Sequence, residues 1–141
     1  MIKFLIQESK FPFYFMQFHL KKFAECRDKY PHKPIMVIPG MWTSDVYTRP
    51  LRSALERTGA DVHGWGLGKN HADIKKLVPQ LMDQVIALSN QSEPVTMIGW
   101  SLGGILSREV ARTIPEHVKA VCCIGSPIVG GPKHTIYASY Y

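Results

Sequence analysis

Val95-Thr96-Met97-Ile98-Gly99-Trp100-Ser101-Leu102-Gly103-Gly104 is the stretch on which the reading of this chain turns. Its first four residues have strand character. After Ser101 the apolar residues Leu102, Ile105, Leu106 and Val110 fall on one helical face. Between the two lies Gly99-Trp100-Ser101-Leu102-Gly103, the G-x-S-x-G pattern of a nucleophile elbow. A strand that turns sharply into a helix strains the serine at the corner, and a Cβ two residues to either side would collide with the neighbouring chain. The pentapeptide alone recurs by chance, whereas strand, pentapeptide and amphipathic helix in that order seldom do. Ser101 is therefore the candidate nucleophile. It sits at a helix N-terminus, where unpaired N–H groups and the helix dipole favour a developing negative charge.

Working outward, strand and helix signals alternate with the rhythm of βαβ units. Ile35-Met36-Val37-Ile38 reads as a fully apolar strand ended by Pro39-Gly40. A helix follows with Tyr47, Leu51 and Leu55 on one face, Pro50 expected in its first turn and Gly59 as its stop. Asp61 to Trp65 is a second strand leading into the glycine-rich turn Gly64-Trp65-Gly66-Leu67-Gly68. Asn70 to Ser89 carries Ile74, Leu77, Val78, Leu81, Val85 and Leu88 at helical spacing, with Pro79 expected to kink the helix or restart it. Val95 to Ile98 is the third strand, Ser101 to Ile114 the third helix and Ala120 to Ile124 the fourth strand. Continuous apolar strands separated by helices imply an α/β fold, a parallel sheet with helices on both faces joined by right-handed crossovers.

Chemistry in such a sheet collects at the carboxyl ends of the strands. Three loops therefore matter: Pro39-Gly40-Met41-Trp42, Gly99 to Gly103, and Gly125-Ser126-Pro127. Acyl transfer to a serine needs two N–H donors for the tetrahedral oxyanion. One comes from the residue after the nucleophile and one from the turn after the earlier central strand. Leu102 and Met41 occupy those positions.

Taken in order, Val37-Ile38-Pro39-Gly40-Met41, Pro50-Leu51-Arg52, Gly64 to Asn70, Ile98 to Gly104 and Ile124-Gly125-Ser126-Pro127 resemble the α/β-hydrolase superfamily, in particular its bacterial lipase- and esterase-like members. The resemblance covers residues 34 to 127. It implies a catalytic serine at Ser101, oxyanion donors at Met41 and Leu102, and hydrolysis of a carboxylic ester, lipid or acyl thioester through an acyl-serine. It also implies no metal and no organic cofactor. Proline stands where a histidine often precedes the oxyanion-hole glycine, which leaves the donor a backbone group.

The triad order implied by that resemblance is serine, acid, histidine. No Asp follows Ser101 in this sequence. Glu109 belongs to the nucleophile helix, and Glu116 and His117 precede the fourth strand, at the wrong end of the sheet. His134 lies beyond its carboxyl end in the tail Gly130 to His134, and reads as a tail residue. His63 and His71 flank the glycine-rich turn and are given no catalytic role. The expectation is a C-terminally truncated hydrolase, nearly inert alone, whose fourth strand forms an exposed apolar edge open to self-association. A non-catalytic module that binds a lipid or protein partner is the alternative.

Composition supports one soluble domain. Of 141 residues, 45% are hydrophobic and 20% charged, too apolar for a disordered chain. The net charge of +6 is concentrated in residues 1 to 33, and no Arg/Lys stripe or zinc-finger spacing accompanies it, which argues against nucleic acid. All six phenylalanines fall before residue 24. Residues 1–30 thus read as an aromatic, basic segment with an amphipathic helix that either packs on the domain or touches a membrane surface. Residues 34–128 form the core and 129–141 a short tail. Cys122 and Cys123 read as small core residues of the fourth strand. The Phe4-Leu5-Ile6 run is too short for a signal-peptide core, so the expected location is cytoplasmic.

Overall fold

The protein is described here by a computed structural model, over residues 31–128. The expected N-terminal helix, His134 and the tail lie outside that range. Eight elements follow one another: β1 (Pro34–Ile38), α1 (Asp45–Glu56), β2 (Asp61–Gly64), α2 (Ile74–Ser89), β3 (Val95–Trp100), α3 (Leu102–Thr113), a 3-10 turn (Pro115–His117) and β4 (Val118–Ile124).

All strand pairs are parallel, in the order β2-β1-β3-β4. From β1 the chain moves outward to β2, then crosses back beyond β1 to β3 and on to β4. Right-handed crossovers with that reversal put α1 on one face of the sheet and α2 and α3 on the other. The packing agrees, with α1 against β1 and β2, and α2 and α3 against each other and against β3. The reversal lies between β1 and β3. Their carboxyl ends therefore flank the crevice at which open α/β sheets place ligands.

The principal core lies on the α2–α3 face. Met36 and Ile38 of β1 and Val95 and Met97 of β3 meet Leu81 and Val85 of α2 and Leu102, Leu106 and Val110 of α3. Burying each such side chain contributes about 1.5–3 kcal/mol. Val37, between Met36 and Ile38, points to the opposite face and is also fully buried. In β3 the residues of that opposite face, Thr96, Ile98 and Trp100, are only half-buried, and α1 packs mainly on β1 and β2.

Four local expectations change. Cys122 is exposed and Cys123 half-buried, since β4 is an edge strand of the described sheet and an apolar run does not reveal its place in the order. Pro50 lies in the second turn of α1. The carbonyl it deprives of a partner belongs to Val46, which is 75% exposed and open to water. Pro79 sits inside an unbroken α2 and marks no restart. That helix begins at Ile74, with the Asp73 carboxylate accepting the Lys76 N–H at 3.2 Å, so Asn70 is not part of it.

Candidate active site

Ser101 stands at the corner between β3 and α3 with φ 53° and ψ −119°, a conformation L-residues seldom adopt. Its N–H donates to the Ile124 carbonyl at 2.8 Å, which fixes the corner to the end of β4. Both flanking glycines are required by contact. A Cβ on Gly99 would lie 2.3 Å from the backbone of Gly103 and Gly104, and one on Gly103 would lie 2.3 Å from the Ile38 carbonyl oxygen. The first turn of α3 thus rests directly on the end of β1.

The turn after β1 lies against the serine. A Cβ on Gly40 would stand 3.3 Å from the Ser101 Cβ. Within the turn, the Thr43 N–H and hydroxyl both donate to the Gly40 carbonyl, at 3.2 and 2.7 Å. The Trp42 N–H donates to the Asn70 carbonyl at 2.7 Å. Among the described residues, the backbone bonds of the turn use these two N–H groups and not that of Met41. Leu102 is the first residue of α3, so its N–H has no acceptor within the helix. A hydroxyl on a strained corner, beside a helix N-terminus and a glycine turn, makes a place suited to an anion.

Two residues that sequence reasoning passed over organise this end of the sheet. The Asp45 carboxylate accepts the Trp65 and Gly66 N–H groups at 3.1 and 3.0 Å, tying α1 to the glycine-rich turn. Asn70 is fully buried and donates from Nδ2 to the Pro39 carbonyl at 3.0 Å. The glycine spacing around residue 66 was the only signal for either. At the rim, Trp42 is 42% exposed; His71 meets its ring edge-on with centroids 5.2 Å apart, and the Lys69 ammonium stands 5.4 Å from its centroid.

His63, His117 and Glu109 are engaged elsewhere. His63 Nε2 lies 2.9 Å from an Asp61 carboxylate oxygen on β2. His117 Nδ1 shares a 3.1 Å hydrogen bond with the Ser89 hydroxyl, at the amino end of β4, and its Nε2 is 3.8 Å from Glu116. Glu109 pairs with Arg112 on the surface of α3. None of these contacts involves Ser101. A hollow of about 380 Å³ lined by His32, Gly59, Asp61, Leu88 and Ser92 opens at the amino ends of the strands, away from the serine. Among the described residues no His, Cys, Asp or Glu cluster could hold a metal ion, and no helix is long and apolar enough to cross a membrane.

A family model described as the alpha/beta hydrolase fold matches residues 33–138. The chain belongs to the α/β-hydrolase fold family. Solved α/β-hydrolase structures similar to it include polyneuridine aldehyde esterase, at 19% identity over 77% of this chain and 46% of that one, with a TM-score of 0.59. The lipase BlEst2 of Bacillus licheniformis aligns at 17% identity over 70% of this chain and 44% of its own, TM-score 0.56. An extracellular α/β-hydrolase of a Paenibacillus species aligns at 18% over 67% and 40%, TM-score 0.56. At these identities the likeness concerns the fold, and the chain spans less than half the length of each of the three. No curated protein sequence matches it significantly.

Proposed function

We propose that this α/β-hydrolase chain carries the nucleophile and the oxyanion turn of a serine hydrolase of the esterase or lipase class, acting on a carboxylic ester or related acyl substrate. The observation that carries the reading is Ser101 at φ 53°, between two glycines that admit no Cβ and against Gly40 of the β1 turn. In the reaction, the Ser101 oxygen bonds to the substrate carbonyl carbon and its proton passes to a base. The carbonyl electron pair moves onto oxygen, and the Met41 and Leu102 N–H groups stabilise that oxyanion. Collapse expels the alcohol, which takes up the proton, and leaves an acyl-Ser101 ester that water cleaves by the reverse course. None of His63, His71 and His117 is assigned as the base. The esterase and lipase among the structural neighbours support the class.

A fluorophosphonate probe tests this directly, because it phosphonylates an activated serine without needing a complete turnover. Wild type is expected to label in a Ser101-dependent manner, because a serine held beside oxyanion donors draws on their stabilisation of the charged transition state. Labelling of wild type no greater than that of Ser101→Ala would sink the reading. The second reading, a non-catalytic module binding a lipid or protein, draws on the edge that β4 forms in the sheet of described residues, where Ala120 and Cys122 are exposed. A stoichiometric complex without Ser101-dependent labelling would favour it.

A further inference from the structure

We infer that Asn70 is the positioning residue for the turn that faces Ser101: its amide fixes the Pro39 carbonyl and thereby holds the Gly40–Met41 peptide in place beside the serine. Its catalytic consequence rests on the acyl-serine reading above.

Every polar group of Asn70 is used. Nδ2 donates to the Pro39 carbonyl at 3.0 Å, Oδ1 accepts the Ala72 N–H at 3.1 Å, the backbone N–H donates to the Thr43 carbonyl at 2.9 Å, and the backbone carbonyl accepts the Trp42 N–H at 2.7 Å. Three of the four bonds end on the 39–43 turn. The orientation of the amide is fixed by its partners, because a proline carbonyl can only accept and a backbone N–H can only donate. Asn70 and Pro39 are both buried, so no water is at hand to replace a lost donor.

The Pro39 carbonyl is also the link to the nucleophile. The position of a Cβ on Gly103 lies 2.8 Å from its oxygen, so this one carbonyl is pressed between the Asn70 amide and the first turn of α3. Gly40 has no side chain by which the fold could grip it, and Trp42 is held at φ 62° with its N–H on Asn70. The turn is therefore gripped from outside, by Asn70. The task requires a donor and an acceptor on opposite sides of one planar group, a single methylene from the backbone. An ionised Asp would set a negative oxygen against the Pro39 carbonyl, whereas a protonated Asp would restore the donor.

That last property gives the test. The whole chain and its Asn70→Asp and Asn70→Ala variants are compared across pH by two ratios to wild type: hydrogen exchange of the Trp42 and Met97 amides, and the rate of fluorophosphonate labelling. At pH 8 both variants should exchange the Trp42 N–H at least about tenfold faster with Met97 unchanged, and label Ser101 about a hundredfold more slowly, as when an oxyanion donor is lost. On lowering the pH through the titration of the introduced carboxyl, Asn70→Asp should return toward wild type and Asn70→Ala should not. Unchanged Trp42 exchange in both variants overturns the inference. So does a uniform rise that includes Met97, or the absence of any recovery in Asn70→Asp. Should Asn70→Ala fail to fold, Asn70→Asp decides alone, being the same molecule with and without the donor. If the Trp42 ratios behave as expected but wild type shows no Ser101-dependent labelling, the acyl-serine reading fails while the grip of Asn70 on the turn stands. If wild type labels and the variants label equally fast, the positioning role fails and the serine reading stands.

Discussion

The two ends of the same four strands are held by different means. At the amino ends, Lys33 from the segment before β1 and Lys119 of β4 both reach Glu93 ahead of β3, at 2.6 and 3.2 Å. These hydrogen bonds, that of Lys33 first, hold the Glu93 carboxyl below the usual glutamate range. At the carboxyl ends, short side chains, the Asp45 carboxylate and the buried Asn70 amide, bind backbone groups, and around the serine backbone lies on backbone: Gly103 on Ile38, Gly99 on Gly103 and Gly104, Ser101 on Ile124. Long charged side chains can reorient around a substitution, whereas a backbone contact that excludes a methyl group cannot. One end is adjustable and the other is fixed, and the candidate site lies at the fixed end.

The sharpest way to break this contrast is Gly103→Ala. Its Cβ would stand 2.3 Å from the Ile38 oxygen and 2.8 Å from that of Pro39, both backbone atoms, with no flexible side chain to yield. A loss of about 4 kcal/mol or more is expected, enough to abolish cooperative thermal unfolding. Melting within a few degrees of wild type would show that the carboxyl end can yield after all. A smaller effect of opposite sign is expected at Ser101. Its φ of 53° is costly for any residue with a Cβ, so Ser101→Gly should exceed Ser101→Ala in stability by about 1 kcal/mol in urea titrations. Equal midpoints would mean that the corner is not strained.

The smallest effect belongs to the amino end. Glu93 has its carboxyl pKa lowered in the folded state, so its contribution to stability is fully present above the unfolded glutamate value and is lost as pH falls through the folded one. Glu93→Gln should therefore melt slightly below wild type at neutral pH, and the two should converge in acid and in high salt. A difference that persists in acid would assign the effect to packing.

What could be read in the sequence follows the range of the physics involved. The elbow is a steric statement made within five residues, and Gly99, Ser101 and Gly103 announce it themselves. Strand and helix order was legible because the apolar periods of α2 and α3 and the apolar β1 run are local too. The edge position of Cys122 was not, because a strand's sequence says nothing of its neighbours in the sheet. Asn70 was hidden for a related reason: its partner Pro39 is 31 positions away, and the amide resembles any polar residue near a helix start. Only the fold shows that α2 begins four residues later and that Asn70 faces inward.

The sheet order also governs when the serine corner takes shape. Ile35 of β1 must wait for Thr96 of β3, and the Ser101 N–H for the Ile124 carbonyl at the end of β4. Such distant pairings close slowly, and on a ribosome they close only after the later partner has emerged. Throughout synthesis up to that moment the serine lacks its support from β4. Whatever Ser101 does, its corner is not set before β4 has docked.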